Sequence, residues 1–516
     1  MRPRQDRRAG NFPHRTLPIP IPATLLTKLT KLFPPSSRTQ WDVIVVGAGV
    51  AGASLAYALG NEGRNVLLLE RDLSEPVRIV GELLQPGGYL KLKELGLEHC
   101  VDNIDAQKVY GYAMYKDGGE ALVGYPLEGR GDDVAGRSFH NGRFVMRLRE
   151  AALGCDKVTV RQATVKKLLN TNGQEWVDGE GVPIGGVAAT ENETEQKEYF
   201  APLTVVCDGY FSSFRKKLTP AAAPVSPSTF VGIIIDGDPN ELLPRPGHGH
   251  VVLGDPSPVL FYPISSKEVR CLVDIPAHVK MPSVASGAMA EYVLTKIVPQ
   301  VPEKLRDPLV RAVEGGAFKS MMNKTMPAQP SRTPGAVLLG DAFNMRHPLT
   351  GGGMTVAFSD VVTMKSMLSP LPSFADAAAV GERVDAFYAH RTRPALTINT
   401  LANALYKVFC SSADSSMEEM RRACFEYLRL GGSMSAGPIA LLGGLETNPL
   451  TLVAHFFSVA LFGVGRLMVP LPTPARIWKG VNLLKGAVKI IVPIVSGEGL
   501  VRMFVPSKYR EKARII

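Results

Sequence analysis

The stretch "WDVIVVGAGVAGASLAYALGNEGRNVLLLERD" (41–72) limits what this chain can fold into more than any other. An apolar run suited to a buried strand leads into Gly47, Gly49 and Gly52. These open an Ala/Leu-rich helix, and a second apolar run ends at Glu70. Strand, glycine turn, helix and strand in this order predict a βαβ unit of a parallel sheet. Each glycine has its own reason. Gly47 permits the tight turn, Gly49 lets a pyrophosphate approach the backbone, and Gly52 lets helix and strand pack closely. The helix N-terminus adds positive potential for an anion. Glu70 lies eighteen residues beyond Gly52, where a carboxylate accepts a hydrogen bond from a ribose 2′-hydroxyl and repels a 2′-phosphate. The segment therefore predicts a dinucleotide site that disfavours NADPH.

Five hundred and sixteen residues exceed one compact core and give a soft prior of about three domains. The six cysteines are dispersed with no CxxC pair, which argues against a disulfide framework or a thiolate metal site. No metal is expected. The net charge of +10 is unevenly spread: residues 1–40 carry +7, residues 471–516 carry +7, and the body therefore carries −4. That body is no polyanion binder, so nucleic acid is excluded as a partner. Basic ends mixed with apolar residues suit an anionic membrane surface.

Beyond the βαβ unit, "VYGYAMYKDGGEALVGYPL" alternates around Asp117-Gly118-Gly119 as a hairpin does. Alternating or apolar runs at Phe230 to Ile235, His250 to Leu253, Val259 to Ile264 and Val269 to Ile275 predict an antiparallel sheet, followed by helices near Met289 to Ile297 and Glu303 to Val313. At Gly335 a buried strand returns, so the chain leaves the first domain, builds a second and comes back. From about Leu401 it is apolar and helical. Nineteen residues between Glu446 and Arg466 carry His455 as their only ionisable group, long enough to span a bilayer. The segment after them intersperses Lys485, Lys489 and Arg502 among apolar residues as an interfacial helix does. Buried core helices are the alternative for both.

Two later segments separate FAD from NAD. "GAVLLGDAFNMRHPLTGGGMTVAFSD" reads as a strand ending at Gly340-Asp341, a Pro-containing loop, and glycines opening a helix at Gly353 and Met354. A carboxylate at Asp341 suits a ribityl hydroxyl, and a helix start suits the negative charge of a reduced flavin's pyrimidine edge. "VVCDGYFSSFRKKL" adds a turn at Asp208-Gly209 with Ser213 and Arg215. NAD needs no such second site far along the chain.

In this order these motifs resemble the FAD-dependent monooxygenases of the aromatic-hydroxylase fold. Within that group "ERDLSEPVRIVGELLQPGGYLKLKELGL", "APLTVVCDG", "GDAFNMRHPLTGGGMTVAFSD" and "NPLTLVAHFF" resemble the squalene epoxidase family. The resemblance implies an α/β fold: a Rossmann-type FAD-binding domain (41–77, 137–222 and 331–372), an inserted antiparallel β-sheet substrate domain (78–136 and 223–330), and a C-terminal helical membrane-associated region (373–516). A basic, partly disordered arm (1–40) precedes them. It implies FAD contacts at Gly47, Gly49, Val50, Ala51, Gly52, Glu70, Arg71, Arg78, Arg149, Val165, Asp208, Asp341, Gly353 and Met354. Tyr112 corresponds to the family's active-site tyrosine and Gln85 to the glutamine thought to hold it. The implied activity is epoxidation of squalene to (S)-2,3-oxidosqualene with O2, using electrons from a separate NADPH-dependent flavoprotein reductase, in sterol biosynthesis. The implied place is the endoplasmic reticulum membrane, the chain being monotopic or anchored through its C-terminal helices with the catalytic body on the cytoplasmic side. Another polyprenyl-acting flavoprotein of this fold, a reductase or ring hydroxylase, would share the flavin motifs without needing Tyr112 and Gln85. A non-catalytic lipid-binding escort could lose Asp341 or the glycine run, and both are present.

Overall fold

The computed structural model describes residues 41–498, apart from 132, 220–222 and 413. The expectations for the arm 1–40 and for Arg502 lie outside these residues.

The apolar runs of the opening segment become Val43–Val46 and Val66–Glu70, neighbours at the heart of a seven-stranded sheet. Five strands run parallel, in the order Val158–Asn170, Val66–Glu70, Val43–Val46, Leu203–Val206 and Ala336–Leu338. Strands buried on both faces read as unbroken apolar runs, which is why VIVV and LTVV show no alternation. Two antiparallel strands, Ile184–Glu191 and Glu195–Phe200, extend the edge beyond Val158–Asn170. Helices Val50–Asn61, Asn141–Leu153 and Gly353–Leu368 share this sheet's core. The carboxyl ends of Val43–Val46, Leu203–Val206 and Ala336–Leu338 open on one crevice, the place where ligands bind in open α/β sheets.

The hairpin forms as read, Gly111–Lys116 with Gly119–Gly124, its turn held by left-handed Asp117 and Gly118. It belongs to a second seven-stranded sheet together with Lys319–Thr325, Val225–Asp236, Glu268–Pro276, Val259–Ser265 and Gly249–Val252. This sheet departs from the antiparallel expectation at one place, since Gly249–Val252 runs parallel to Gly111–Lys116. That pairing joins strands far apart in the chain, so no hairpin turn constrains its direction. Lys319–Thr325 escaped the sequence reading because KSMMNKT is largely polar and, at the sheet edge, only Asn323 of the seven is buried, so no apolar alternation marks it. A small third sheet pairs Leu83–Leu84 and Gln107–Val109 with Gly136–Ser138. One face of the second sheet is covered by the helical turns from Ala288 to Glu314, and the other faces the C-terminal helices.

Those helices are Ala377–Phe409, Ser415–Arg429, Ser433–Leu442, Pro449–Met468 and Pro474–Glu498. Pro449–Met468 has a mean hydropathy of 1.7 with 22% of its apolar window buried, the one helix among the described residues long and apolar enough to cross a membrane. Its inner face is committed to protein: Leu452 and Ala460 are buried, and a Cβ on Gly463 would meet Ala423 at 2.9 Å. Leu450 and Leu461 point outward, as do Ile477, Trp478, Val488 and Val492 of the last helix. Elsewhere two backbones touch directly. The Gly87 N–H donates to Gly443 O at 2.7 Å, and a Cβ on Gly87 would lie 2.2 Å from Gly444 O.

Candidate functional site

The crevice is a cavity of about 520 Å³. Its walls hold Gly47, Gly49, Val50, Ala51, Glu70, Arg71, Arg78, Arg149, Val165, Asp208, Asp341, Gly353, Met354 and Tyr112. Segments separated by some 300 residues therefore meet at one place. Gly47 adopts φ +99°, and a Cβ there would sit 2.6 Å from Cys207 O. Gly49 has nothing within 4 Å of the position its Cβ would take, leaving its backbone open to the cavity. Gly52 stands behind the wall, where a Cβ would fall 1.9 Å from Gly47 O, so it acts by packing.

Three polar devices hold the rim. Glu70 Oε2 accepts from the Ala48 N–H at 2.7 Å, while Arg149 Nε donates to Ala48 O at 2.9 Å and Nη1 to Ser74 O at 3.0 Å. The acid and the arginine thus grip the glycine turn from both sides. Arg215 Nε donates to Ala342 O at 2.8 Å and its Nη2 to Asp341 O at 2.8 Å and Gly209 O at 3.1 Å, joining the Asp208 turn to the Asp341 loop. Asp208 Oδ2 accepts from the Ser213 N–H at 2.8 Å, while its other oxygen is buried with no partner among the described residues. Asp341 opens on the cavity but is ringed by protein. Burial raises its carboxyl pKa, against the opposing pull of Arg346, Arg78 and Arg215.

These features fit FAD. Gly49 and the start of Val50–Asn61 suit a pyrophosphate, and the partnerless Asp208 oxygen and the open Asp341 carboxylate are acceptors for ribityl or ribose hydroxyls. The second helix start, at Gly353, faces the same space.

Gln85 lies outside the cavity wall, fully buried behind Tyr112. Its Nε2 donates to the Tyr112 hydroxyl at 2.6 Å and to Thr350 O at 2.7 Å, and its Oε1 accepts from the Tyr125 hydroxyl at 2.5 Å. Burial raises the phenol pKa of Tyr112 and Tyr125, so both are neutral. Tyr125 and Thr350 were missed from sequence. They lie 40 and 265 residues from Gln85, inside the hairpin and the Asp341 segment, and only the tertiary fold brings them onto the Gln85 amide.

Tyr112 also lines a second cavity, of about 100 Å³, between the sheet and the C-terminal helices. The two cavities share Tyr112, Val251 and Leu349. The second is almost wholly apolar, its walls including Met114, Leu401, Val408, Ile439, Leu441 and Leu452, with His455 at one side hydrogen-bonded to the Tyr427 hydroxyl at 3.2 Å.

Strand Glu268–Pro276 ties the Glu82 segment and the His347 loop to the second sheet. Arg270 forks onto Glu82, Nε to Oε2 at 3.0 Å and Nη2 to Oε1 at 2.8 Å, and the Tyr262 hydroxyl donates to Oε2 at 3.1 Å. Four residues along the same face, Asp274 accepts from the Tyr406 hydroxyl at 3.1 Å and from Asn323 Nδ2 at 3.2 Å. Asn323 Nδ2 also donates to Ser228 Oγ, which lies 2.9 Å from His347 Nε2. Burial raises the Asp274 pKa to about 6 and lowers that of His347 to about 3.

Comparison with known proteins agrees with this geometry. A squalene epoxidase family model matches residues 200–478, and an FAD dependent oxidoreductase model matches residues 42–76. Squalene epoxidase 3 of Arabidopsis thaliana is 56% identical over 470 residues, covering 91% of this chain and 87% of its own. Squalene epoxidase 2, mitochondrial, of the same plant is 55% identical over 465 residues, covering 90% and 77%. Among solved structures, Klebsiella pneumoniae HpxO complexed with FAD and uric acid superposes with a TM-score of 0.62 at 16% identity, covering 79% of this chain and 98% of that one. That likeness shows the fold. With a matching model over more than half its length and relatives above 50% identity across nine-tenths of it, this chain is a member of the squalene epoxidase family and an FAD-dependent monooxygenase.

Proposed function

We propose that the chain epoxidises squalene to (S)-2,3-oxidosqualene within sterol biosynthesis. The observation that carries this reading is that Tyr112 stands in the shared wall of the two cavities. One of them is ringed by the glycine turn and Asp341, the other is apolar and reaches the C-terminal helices. We assign cofactor binding to 41–77, 137–222 and 331–372, and substrate binding to 78–136 and 223–330.

Bound FAD would supply the two-electron chemistry of a monooxygenation, in which one atom of O2 enters an alkene and the other leaves as water with two electrons and two protons consumed. The protein supplies the surroundings. Gly47, Gly49, Val50 and Ala51 would hold the pyrophosphate region, and Glu70, Arg71 and Val165 the adenosine end. Arg78, Asp208, Asp341, Gly353 and Met354 would hold the flavin end. Arg149 acts through the glycine turn. Squalene has no polar handle, so its affinity comes from burial at about 25 cal/mol per Å² of apolar surface. The walls of Met114, Leu401, Val408, Ile439 and Leu441 provide that surface and exclude water from the reacting end. Gln85 fixes the Tyr112 hydroxyl as an acceptor, which leaves the phenol proton directed away from the amide. Tyr112 and Gln85 thereby set the geometry where the alkene meets the flavin.

Electrons come from a separate NADPH-dependent flavoprotein reductase; the motifs read in this chain include one glycine-rich dinucleotide loop, and Glu70 disfavours NADPH there. The outward faces of the last two helices, with Arg466, Arg476, Lys479, Lys485 and Lys489 beside exposed Leu461, Ile477 and Trp478, rest on the endoplasmic reticulum membrane from its cytoplasmic side and admit squalene. The decisive experiment supplies squalene, a reductase, NADPH and ¹⁸O2 to the membrane-reconstituted protein. One labelled atom in 2,3-oxidosqualene is the expected product, and no turnover should occur without the reductase. Addition of hydrogens instead of oxygen would refute the reading. A fluorescent fusion of the full chain tests the compartment, and mitochondrial import would refute that part.

A further inference from the structure

We infer that the buried Glu82–Arg270 pair is a positioning device that sets the gap between the substrate sheet and the loop bearing Gln85. The inference rests on the epoxidation reading. The two side chains are 0% and 5% exposed; Glu82 stands in the wall of the larger cavity, which Leu260 and Leu272 also line, and Arg270 lies behind that wall. An ion pair taken out of water stabilises a fold no better than apolar side chains of the same volume, so stability does not explain its presence here. Geometry does. A guanidinium fork on a carboxylate makes two parallel hydrogen bonds and fixes direction as well as distance. The partners are 188 residues apart, one on the substrate strand Glu268–Pro276 and the other at the head of the segment that runs through Leu83–Leu84 to Gln85. Glu82 is gripped further by the Tyr262 hydroxyl, and its carbonyl accepts from the Phe139 N–H at 2.9 Å. Three residues on, Gln85 reaches Tyr112 on the sheet and Thr350 on the cofactor loop.

The same strand holds that cofactor loop through Asp274, Asn323, Ser228 and His347. Both ends of the Gln85 bridge therefore trace back to one strand. Arg270, Leu272 and Asp274 alternate onto a single face of it. Glu82 and Arg270 are positioning residues, acting through Gln85 and Tyr112.

The test uses full-length, FAD-loaded protein. Glu82→Leu combined with Arg270→Met keeps the volume and removes both charges together, so it should fold with wild-type FAD content. Arg270→Lys, which keeps the charge and loses the fork, is the second variant. Epoxide formed per O2 consumed should fall about tenfold in the double variant, with hydrogen peroxide making up the difference, and by less in Arg270→Lys. Adding Tyr112→Phe should cause no further fall, since both lesions act on one contact. The absorption spectrum of bound FAD, recorded without substrate, should shift toward that of Tyr112→Phe. A folded double variant that keeps product yield within twofold of wild type, or whose loss multiplies with that of Tyr112→Phe, overturns the inference. If wild-type protein makes no epoxide, the epoxidation reading fails separately. The substrate-free spectrum then decides the positioning role, and an unchanged band overturns it.

Discussion

The two cavities that meet at Tyr112 are built in opposite ways. The larger is framed by backbone: a glycine turn, two helix starts and a left-handed Gly340, with charged side chains gripping the loops from behind. The smaller is lined by apolar residues from a hairpin, a neighbouring strand, the Leu349 turn and four helices, with hardly a polar atom in it. Backbone framing suits a ligand whose phosphates and hydroxyls need fixed donors and acceptors. Side-chain framing suits one that offers only area. A monooxygenase acting on hydrocarbon needs both, and it needs the boundary between them to be narrow.

The contrast can be broken from either side. The largest effect is expected at Asp341→Ala, which removes a charged acceptor from the backbone-framed cavity. FAD affinity should fall about a hundredfold, as titration of the apoprotein would measure. In the apolar cavity, Ile439→Asp should leave FAD content unchanged and cut squalene turnover about fiftyfold, because a lone carboxylate has no partner there. Equal loss of FAD in that variant would mean the two cavities are not separate in function.

In the buried network of Asn323 and Ser228, Asp274 and His347 oppose each other as pH changes. The raised carboxyl adds stability that is present in acid and lost as pH rises through about 6. The lowered imidazole adds stability that is present above its unfolded value of about 6.5 and is lost as pH falls toward 3. In the wild type the two largely cancel between pH 7 and 5. Asp274→Asn removes one side, so unfolding free energies from denaturant titration of that variant should show a loss on going from pH 7 to 5 that exceeds the wild type's by about 1.4 kcal/mol. Tyr112→Phe, at the boundary itself, should lower turnover about tenfold with FAD retained, and unchanged turnover would remove the tyrosine from the mechanism. The smallest effect belongs to the outer surface. Lys489→Glu should weaken binding to anionic vesicles about fivefold, measured by sedimentation at low salt.

The same contrast explains what the sequence disclosed. Gly47, Gly52 and Asp341 are legible because backbone conformation demands particular residues at fixed spacing, and such demands are local. Sheet strands were legible where one or both faces are buried, and Lys319–Thr325 was not, because an exposed edge imposes no pattern. The apolar cavity had no signature, since Met114 and Leu452 become neighbours only through tertiary packing and any core helix would read alike. Glu82 and Arg270 look like ordinary surface charges until the fold brings them together. Tyr112 was reached only through its likeness to a family, and the structure then supplied Tyr125 and Thr350 as the reason it is held still.

The seam where Gly87 meets Gly443 and Gly444 limits how this protein can change over generations. Elsewhere around the ligand a lost or gained methyl is absorbed by neighbouring side chains turning. Here main chain rests on main chain two residues from Gln85, and nothing is free to turn. Novelty in the range of hydrocarbons accepted must therefore be written in the far wall, and the glycines of this seam are left to be inherited intact.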